Sequence, residues 1–204
     1  QVFRLLGQAI HVLFERANTT GLSEQRLFIE RAGLKISGQF DHLVIEDGIL
    51  SDYKVTTCYA VKDGGTAEWE QQLNLLAHIA RENGYNIKHL RIVAILRDWS
   101  LSESKRRSEY PSAQVQVIPI GEWDEERAEN FLQERLTYHR EASQKLPECT
   151  PEDRWQSPDV WAVIKEGNKR AKKTFLNEQE ALSMVADLPD HRIEYRPGQA
   201  KRCE

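Results

Sequence analysis

The stretch "GQFDHLVIEDGILSDYKVTT", residues 38–57, decides how this chain is read. Apolar and polar residues alternate on both sides of Asp47-Gly48, a dipeptide suited to tight antiparallel turns because it tolerates positive φ. Two strands, about 35–45 and 49–57, are therefore expected to pair as a hairpin. Successive side chains on a strand point to opposite faces, so Asp52 and Lys54 share one face and Tyr53 takes the other. Antiparallel pairing brings Asp41 beside them, while Val44, Ile49 and Val55 are expected to supply burial. Two carboxylates a few ångströms apart need a cation, or else one of them takes up a proton. Hard oxygen donors suit Mg²⁺ or Mn²⁺. A neighbouring lysine can stabilise charge on a phosphate or help orient an attacking water. Ordinary surface hairpins carry such charges too, so the spacing alone leaves both readings open.

Outward from the hairpin, the pattern predicts a mixed α/β chain. A helix is expected over 2–17, where Leu6, Ile10, Leu13 and Phe14 recur at helical spacing, and a further strand over 25–32. After "GGTAEW" a helix runs to about Arg81 and is closed by Gly84. "HLRIVAIL" reads as a buried strand near the centre of a mixed sheet. "VQVIPI" is another strand, and a long charged helix follows it. From "LPECTPEDRW" the texture changes to a hairpin over "VWAVIKEGNKRAKKTF", a short helix and a last strand at "HRIEY". Residues 1–146 are thus expected to form a core and 147–204 a small α+β appendage.

The 204 residues, 40% apolar and 29% charged, fit one ordinary domain with an addition and exclude a disordered or fibrous chain. No apolar run approaches the ~18 residues of a membrane span, and no signal peptide is expected. A net charge of −4 gives no general attraction to nucleic acid, so a polyanion site needs a local basic patch or a metal ion. Three cysteines, Cys58, Cys149 and Cys203, make a disulfide framework improbable and favour a reducing compartment such as the cytoplasm.

Three further features bear on the hairpin. "GQAIH" places Gly7 and His11 one helical turn apart, and the glycine removes bulk as a helix close to a sheet or ligand requires. "GQFD" sets Gly38 three residues before Asp41. In "EWEQQLN", Gln72 shares a helix face with Trp69 and Leu76. In this order the four stretches resemble the PD-(D/E)XK nuclease superfamily, in its RecB-like, phage-type exonuclease branch. That branch shows a helix with GxxxH, a strand with GxxD, a strand with (D/E)xK and a helix with QxxxY. Here these are Gly7 to His11, Gly38 to Asp41, Asp52-Tyr53-Lys54, and Gln72 to Leu76, with Leu76 where tyrosine is usual. The resemblance covers residues 1 to about 135.

The resemblance implies a restriction-endonuclease-like core, a central mixed β-sheet flanked by helices. It implies that His11, Asp41, Asp52 and the backbone carbonyl of Tyr53 bind one or two Mg²⁺ or Mn²⁺ ions. Lys54 would contact the attacking water or scissile phosphate, and Gln72 would position that lysine or the nucleic-acid backbone. The expected activity is a metal-dependent DNA exonuclease of phage or bacterial recombination, repair or processing, working in the cytoplasm of a bacterial or phage-infected cell. A structure-specific or restriction-type endonuclease would share the centre, and a non-catalytic DNA-binding module is the other class. Some RecB-like nucleases hold a 4Fe–4S cluster on four cysteines. Cys149 and Cys203 resemble two of those ligands, and a cluster is expected only if the native chain extends beyond Glu204. The run from Lys165 to Lys173, with Lys169, Arg170, Lys172 and Lys173, is the candidate contact to DNA phosphates, or else a solvated turn.

Overall fold

The computed structural model describes residues 2–17, 20–62, 64–142, 144–146 and 148–202. The chain divides into two compact units, Gln1–Thr137 and Tyr138–Glu204. The division falls inside a helix, whereas the change of sequence texture placed it after residue 146.

In the first unit the expected hairpin forms around Asp47-Gly48. β2 (Leu34–Val44) and β3 (Ile49–Thr56) pair antiparallel from Val44↔Ile49 to His42↔Ser51. Gly48 turns the chain at φ +68°, and a Cβ there would stand 2.4 Å from the Asn86 carbonyl oxygen. Both the backbone conformation and the close approach call for glycine. β1 (Leu22–Arg31) pairs with the outer edge of β2. β4 (His89–Leu96) runs parallel to β3, and β5 (Val115–Ile120) closes the far edge antiparallel to β4. The result is a five-stranded mixed sheet of order β1-β2-β3-β4-β5, flanked by helices, as a restriction-endonuclease-like core requires.

The helices of this unit are α1 (Val2–Ala17), α2 (Ala67–Glu82), α3 (Leu101–Arg106) and the first part of α4 (Glu125–Ala142). α2 begins at Thr66, whose hydroxyl accepts the Trp69 N–H, and carries Glu68 and Glu70 in its first turn, where carboxylates favour the helix dipole. Its apolar stripe of Leu73, Leu76, Ala77 and Ala80 packs on Phe40, Leu43, Leu50, Leu90, Ile92 and Leu96 of the sheet. Burial of each such leucine stabilises the fold by roughly 1.5–3 kcal/mol. The hairpin's burial therefore sits at Phe40, Leu43 and Leu50, and not at Val44, Ile49 and Val55, which are only half-buried. That difference follows from α2, whose apolar stripe packs on Phe40, Leu43 and Leu50.

Gly38 sets how near α2 can come. A Cβ at that position would lie 2.6 Å from Leu76 Cδ2 and 3.1 Å from Ile79 Cδ1. Further along, Arg31 joins Glu82 of α2 and Glu129 of α4 at 3.1 Å each, and the buried His78 Nε2 stands 3.0 Å from Glu129. By contrast α1 has no buried residue, and Val2, Phe3, Leu5 and Leu13 are well exposed. It meets the sheet at β3, where Phe14 lies against Tyr53 with ring centroids 4.6 Å apart.

The second unit is built on β6 (Val160–Lys165), β7 (Lys173–Phe175), α5 (Glu178–Ala186) and β8 (His191–Arg196). The strands form an antiparallel sheet of order β7-β6-β8, with Ala162, Val163, Ile164 and Ala181 buried. Asn177 caps α5 by accepting the Gln179 N–H. No helix among the described residues is long and apolar enough to cross a membrane.

Because Leu76 and Ile79 belong to the packed face of α2, Gly38→Ala should force helix and sheet apart. A loss of about 1–3 kcal/mol is expected, a fall of several degrees in melting temperature for a chain of this size. A thermal melt equal to that of the parent chain would show that the close approach is not needed.

Candidate metal centre

Backbone pairing between β2 and β3 stops at His42↔Ser51, and one residue further the Asp41 side chain takes over. Its Oδ2 accepts the Tyr53 N–H at 2.6 Å, which binds the two strands and fixes the carboxylate. Asp52 follows on the next strand with only 3% of its surface exposed. Lys54 shares its face, with Nζ 2.8 Å from Asp52 Oδ2.

From α2, Gln72 locks this pair. Its Nε2 donates to Asp52 Oδ1 at 3.0 Å, and its Oε1 accepts from Lys54 Nζ at 2.9 Å. One amide thus orients both the carboxylate and the ammonium, and the amide's own direction follows from those two contacts. Leu76, one turn on, is buried against Gly38, so the position where a tyrosine was expected serves packing and brings no hydroxyl.

His11 reaches the group from α1. Its Nδ1 lies 2.9 Å from Glu24 Oε1 and 3.4 Å from Asp41 Oδ1. The ring stands edge-on to Tyr53 at 6.1 Å between centroids. A Cβ on Gly7 would meet nothing within 4 Å, so of the two reasons its spacing suggested, a close sheet or a ligand, the glycine does not serve close packing on the sheet. It borders a cleft of about 900 Å³ lined by Gly7, Gln8, His11, Val12, Glu15, Glu24 and Gln39. Tyr53 contributes its amide to Asp41 and its ring to the packing under α1.

Glu24 was not singled out from the sequence. The hairpin register held the signal: Ser23↔His42 and Gln25↔Phe40 are partners, which sets Glu24 across from Asp41. The ladder skips that step, and Glu24 adopts φ +52°, a left-handed conformation uncommon for a residue with a side chain. Its Oε2 accepts from Gln39 Nε2 at 2.8 Å while Oε1 meets His11. Like charges set directly opposite repel, so this corner gathers negative charge that needs a counter-ion.

The electrostatics record that need. Burial, and then the charge of Asp52, push the Asp41 carboxyl up to about 6, against the pull of the Tyr53 amide and His11. Burial likewise raises Asp52, with Lys54 acting in the opposite direction. For His11, burial works to lower the imidazole, but the Glu24 hydrogen bond and the charges of Asp41, Glu24 and Asp52 together raise it. Asp52 Oδ2 is buried and meets the Lys54 ammonium at 2.8 Å. His11, Glu24 and Asp41 each offer a donor atom, all within 4.8 Å of one another. Carboxylate oxygens with one imidazole fit Mg²⁺ or Mn²⁺.

Other residues singled out from the sequence lie elsewhere. Lys169, Arg170 and Lys172 are exposed in the β6–β7 connection, and Lys173 opens β7 with Nζ 4.7 Å above the Phe175 ring. Cys149 is exposed, and Cys203 lies outside the described residues. Cys58 packs at the edge of the core, its thiol 3.2 Å from Tyr110 Oη and its amide donating to Asp98.

No protein-family model matches the chain, and no curated protein does. Among solved structures, SSO0001 is similar at TM-score 0.46 and 16% identity, over 67% of this chain and 58% of that one. A protein of Eubacterium rectale described as "Putative exonuclease" is similar at TM-score 0.43 and 16% identity, over 69% of this chain and 54% of that one. The chain thus spans little more than half the length of either.

The raised Asp41 carboxyl has a definite consequence for stability. Its folded-state value of about 6 lies above its ordinary 3.8, so its contribution is full below about 3.8 and lost as pH rises through about 6. Asparagine does not titrate. With divalent ions chelated, Asp41→Asn should therefore gain stability relative to the parent chain as pH rises, by about 1–3 kcal/mol between pH 4.5 and 7.5. Melting curves at the two pH values read this directly, and a pH-independent difference would refute the strained carboxylate.

Proposed function

We propose that this chain is a metal-dependent nuclease that hydrolyses phosphodiester bonds of DNA, acting as a RecB-like exonuclease in phage or bacterial recombination, repair or processing. The observation that carries this reading is the Gln72-held Asp52–Lys54 pair next to Asp41 and His11. A buried carboxylate pair, an imidazole and an ammonium on one corner of a sheet suit a reaction in which a phosphate must be bound and its charge offset.

His11, Asp41 and Asp52, with the Tyr53 carbonyl, are the residues that would hold Mg²⁺ or Mn²⁺. Bound there, the cation would acidify the attacking water and offset charge on the phosphate. With one N–H on Gln72 and one facing Asp52, Lys54 keeps a third that can donate to a phosphate oxygen or to the water. Gln72 keeps the ammonium on the reacting side and orients Asp52. The Tyr53 amide does the same for Asp41. No covalent bond to the protein is needed, since the nucleophile is water.

End-labelled single- and double-stranded DNA, incubated with Mg²⁺ or Mn²⁺, tests the reading. Shortening of the labelled strand is expected, stopped by a chelator. Asp52→Asn should keep the fold and DNA binding while cleavage falls by at least 100-fold, since it removes a charged ligand. Parental rates in that variant would sink the assignment. A closed circular substrate distinguishes the cutting mode, because an exonuclease leaves it intact and an endonuclease opens it.

DNA would be held in part by the basic β6–β7 connection. With a net charge of −4, phosphate binding must come from local cations. Changing Lys169, Arg170, Lys172 and Lys173 to alanine should weaken DNA binding and flatten its salt dependence. Each lost phosphate contact should lower the log–log slope by about 0.7–0.9. An unchanged slope would make the connection a solvated turn.

A further inference from the structure

A residue that the motifs leave aside faces two of the ligands named above. Asp52 Oδ1 is taken by Gln72 and its Oδ2 lies against Lys54. Asp41 Oδ2 is taken by the Tyr53 amide. Asp41 Oδ1, His11 Nδ1 and Glu24 Oε1 face one another, and His11 and Glu24 line the cleft. Ligands about 2.1 Å from one octahedral ion stand about 3 Å apart when adjacent. The separations here are 2.9 Å from His11 Nδ1 to Glu24 Oε1 and 3.4 Å from it to Asp41 Oδ1.

We propose that Glu24 is a charged ligand of the divalent ion, completing with His11 and Asp41 a triad that lies beside the Asp52–Lys54–Gln72 group. This rests on the metal-dependent reading above and assigns to the centre a residue outside the four motifs. Two observations besides the cluster support it. The cleft against His11 and Glu24 gives the open, solvent-reached side on which Mg²⁺ or Mn²⁺ keeps its remaining waters. Gln39, donating to Glu24 Oε2, orients the ligand from behind, the arrangement usual for metal-bound carboxylates. Glu24 also explains why β1 departs from its ladder here: the departure carries the carboxylate to the imidazole.

Mn²⁺ titration of the whole chain without DNA, followed by calorimetry and by loss of the free-ion electron-spin-resonance signal, separates this role from a plain His11–Glu24 ion pair. Glu24→Gln keeps the size and hydrogen-bonding ability of the side chain but loses its charge. It should weaken Mn²⁺ binding by at least tenfold, while its melting temperature in chelator stays equal or rises. Parental Mn²⁺ affinity in Glu24→Gln, with Asp41→Asn unable to bind, would reject the proposal and leave the metal centre standing. A parent chain that binds no Mn²⁺ would remove both. If Glu24→Gln does not fold, Glu24→Asp carries the test: its shorter arm should weaken Mn²⁺ at unchanged charge, and full affinity there rejects the proposal.

Discussion

Two carboxylates buried in one hairpin are the constraint around which this unit is arranged. Taking an ionised carboxylate out of water costs several kcal/mol unless other groups replace its solvation. Asp41 and Asp52 recover part of that cost in different ways. Asp41 accepts a backbone amide from the neighbouring strand, at the point where regular pairing ends. Asp52 is gripped by the two ends of Lys54 and Gln72. Neither arrangement neutralises both charges, since Lys54 brings one positive charge to a group that includes Glu24 as well. The corner is satisfied in geometry but short of positive charge, which is the condition a bound cation relieves.

The grip on Asp52 depends on how close α2 lies to the sheet, and that distance is governed by a residue with no side chain. Gly38 leaves room for Leu76 and Ile79 to press against β2. One turn before Leu76, on the same helix face, Gln72 then falls within hydrogen-bond reach of both Asp52 and Lys54. The glycine of the GxxD stretch and the leucine that replaces the expected tyrosine form a packing pair. Their effect on the site is indirect: they determine where an amide can reach. Asn74, two residues along and facing inward, adds a second anchor by accepting the Trp123 N–H and donating to the Gly121 carbonyl.

Much of this was legible in the sequence because it follows from strict periodicities. The two-residue repeat of a strand put Asp52 and Lys54 on one face, and Asp47-Gly48 marked the turn that pairs their strand with that of Asp41. The strands at 89–96 and 115–120 and the α2 span stood out by their apolar patterns. Less was legible where tertiary partners override local pattern. Burial was expected at Val44, Ile49 and Val55, but α2 packs on Phe40, Leu43 and Leu50 instead, and the three expected residues are only half-buried. α3 is a six-residue turn in the polar "LSESKR" stretch, too short to show a helical stripe. Glu24 carries no motif of its own, and its meeting with Asp41 depends on strand register and on a skipped ladder step. Gly7 suggested closeness to a sheet or to a ligand, and it borders an open cleft and not the sheet.

α1 supplies an imidazole to the centre while burying none of its own residues. A segment with few buried contacts detaches at low free-energy cost, so its backbone amides should exchange with solvent far sooner than those of β2, β3 and β4. If an ion joins His11 to carboxylates on the sheet, each detachment of α1 must also break a coordinate bond. Ion affinity and helix docking then become two views of one equilibrium, and the measured affinity is the intrinsic one reduced by the fraction of molecules with α1 in place. Slowed amide exchange along α1 in the presence of the ion is the form in which that linkage would be seen.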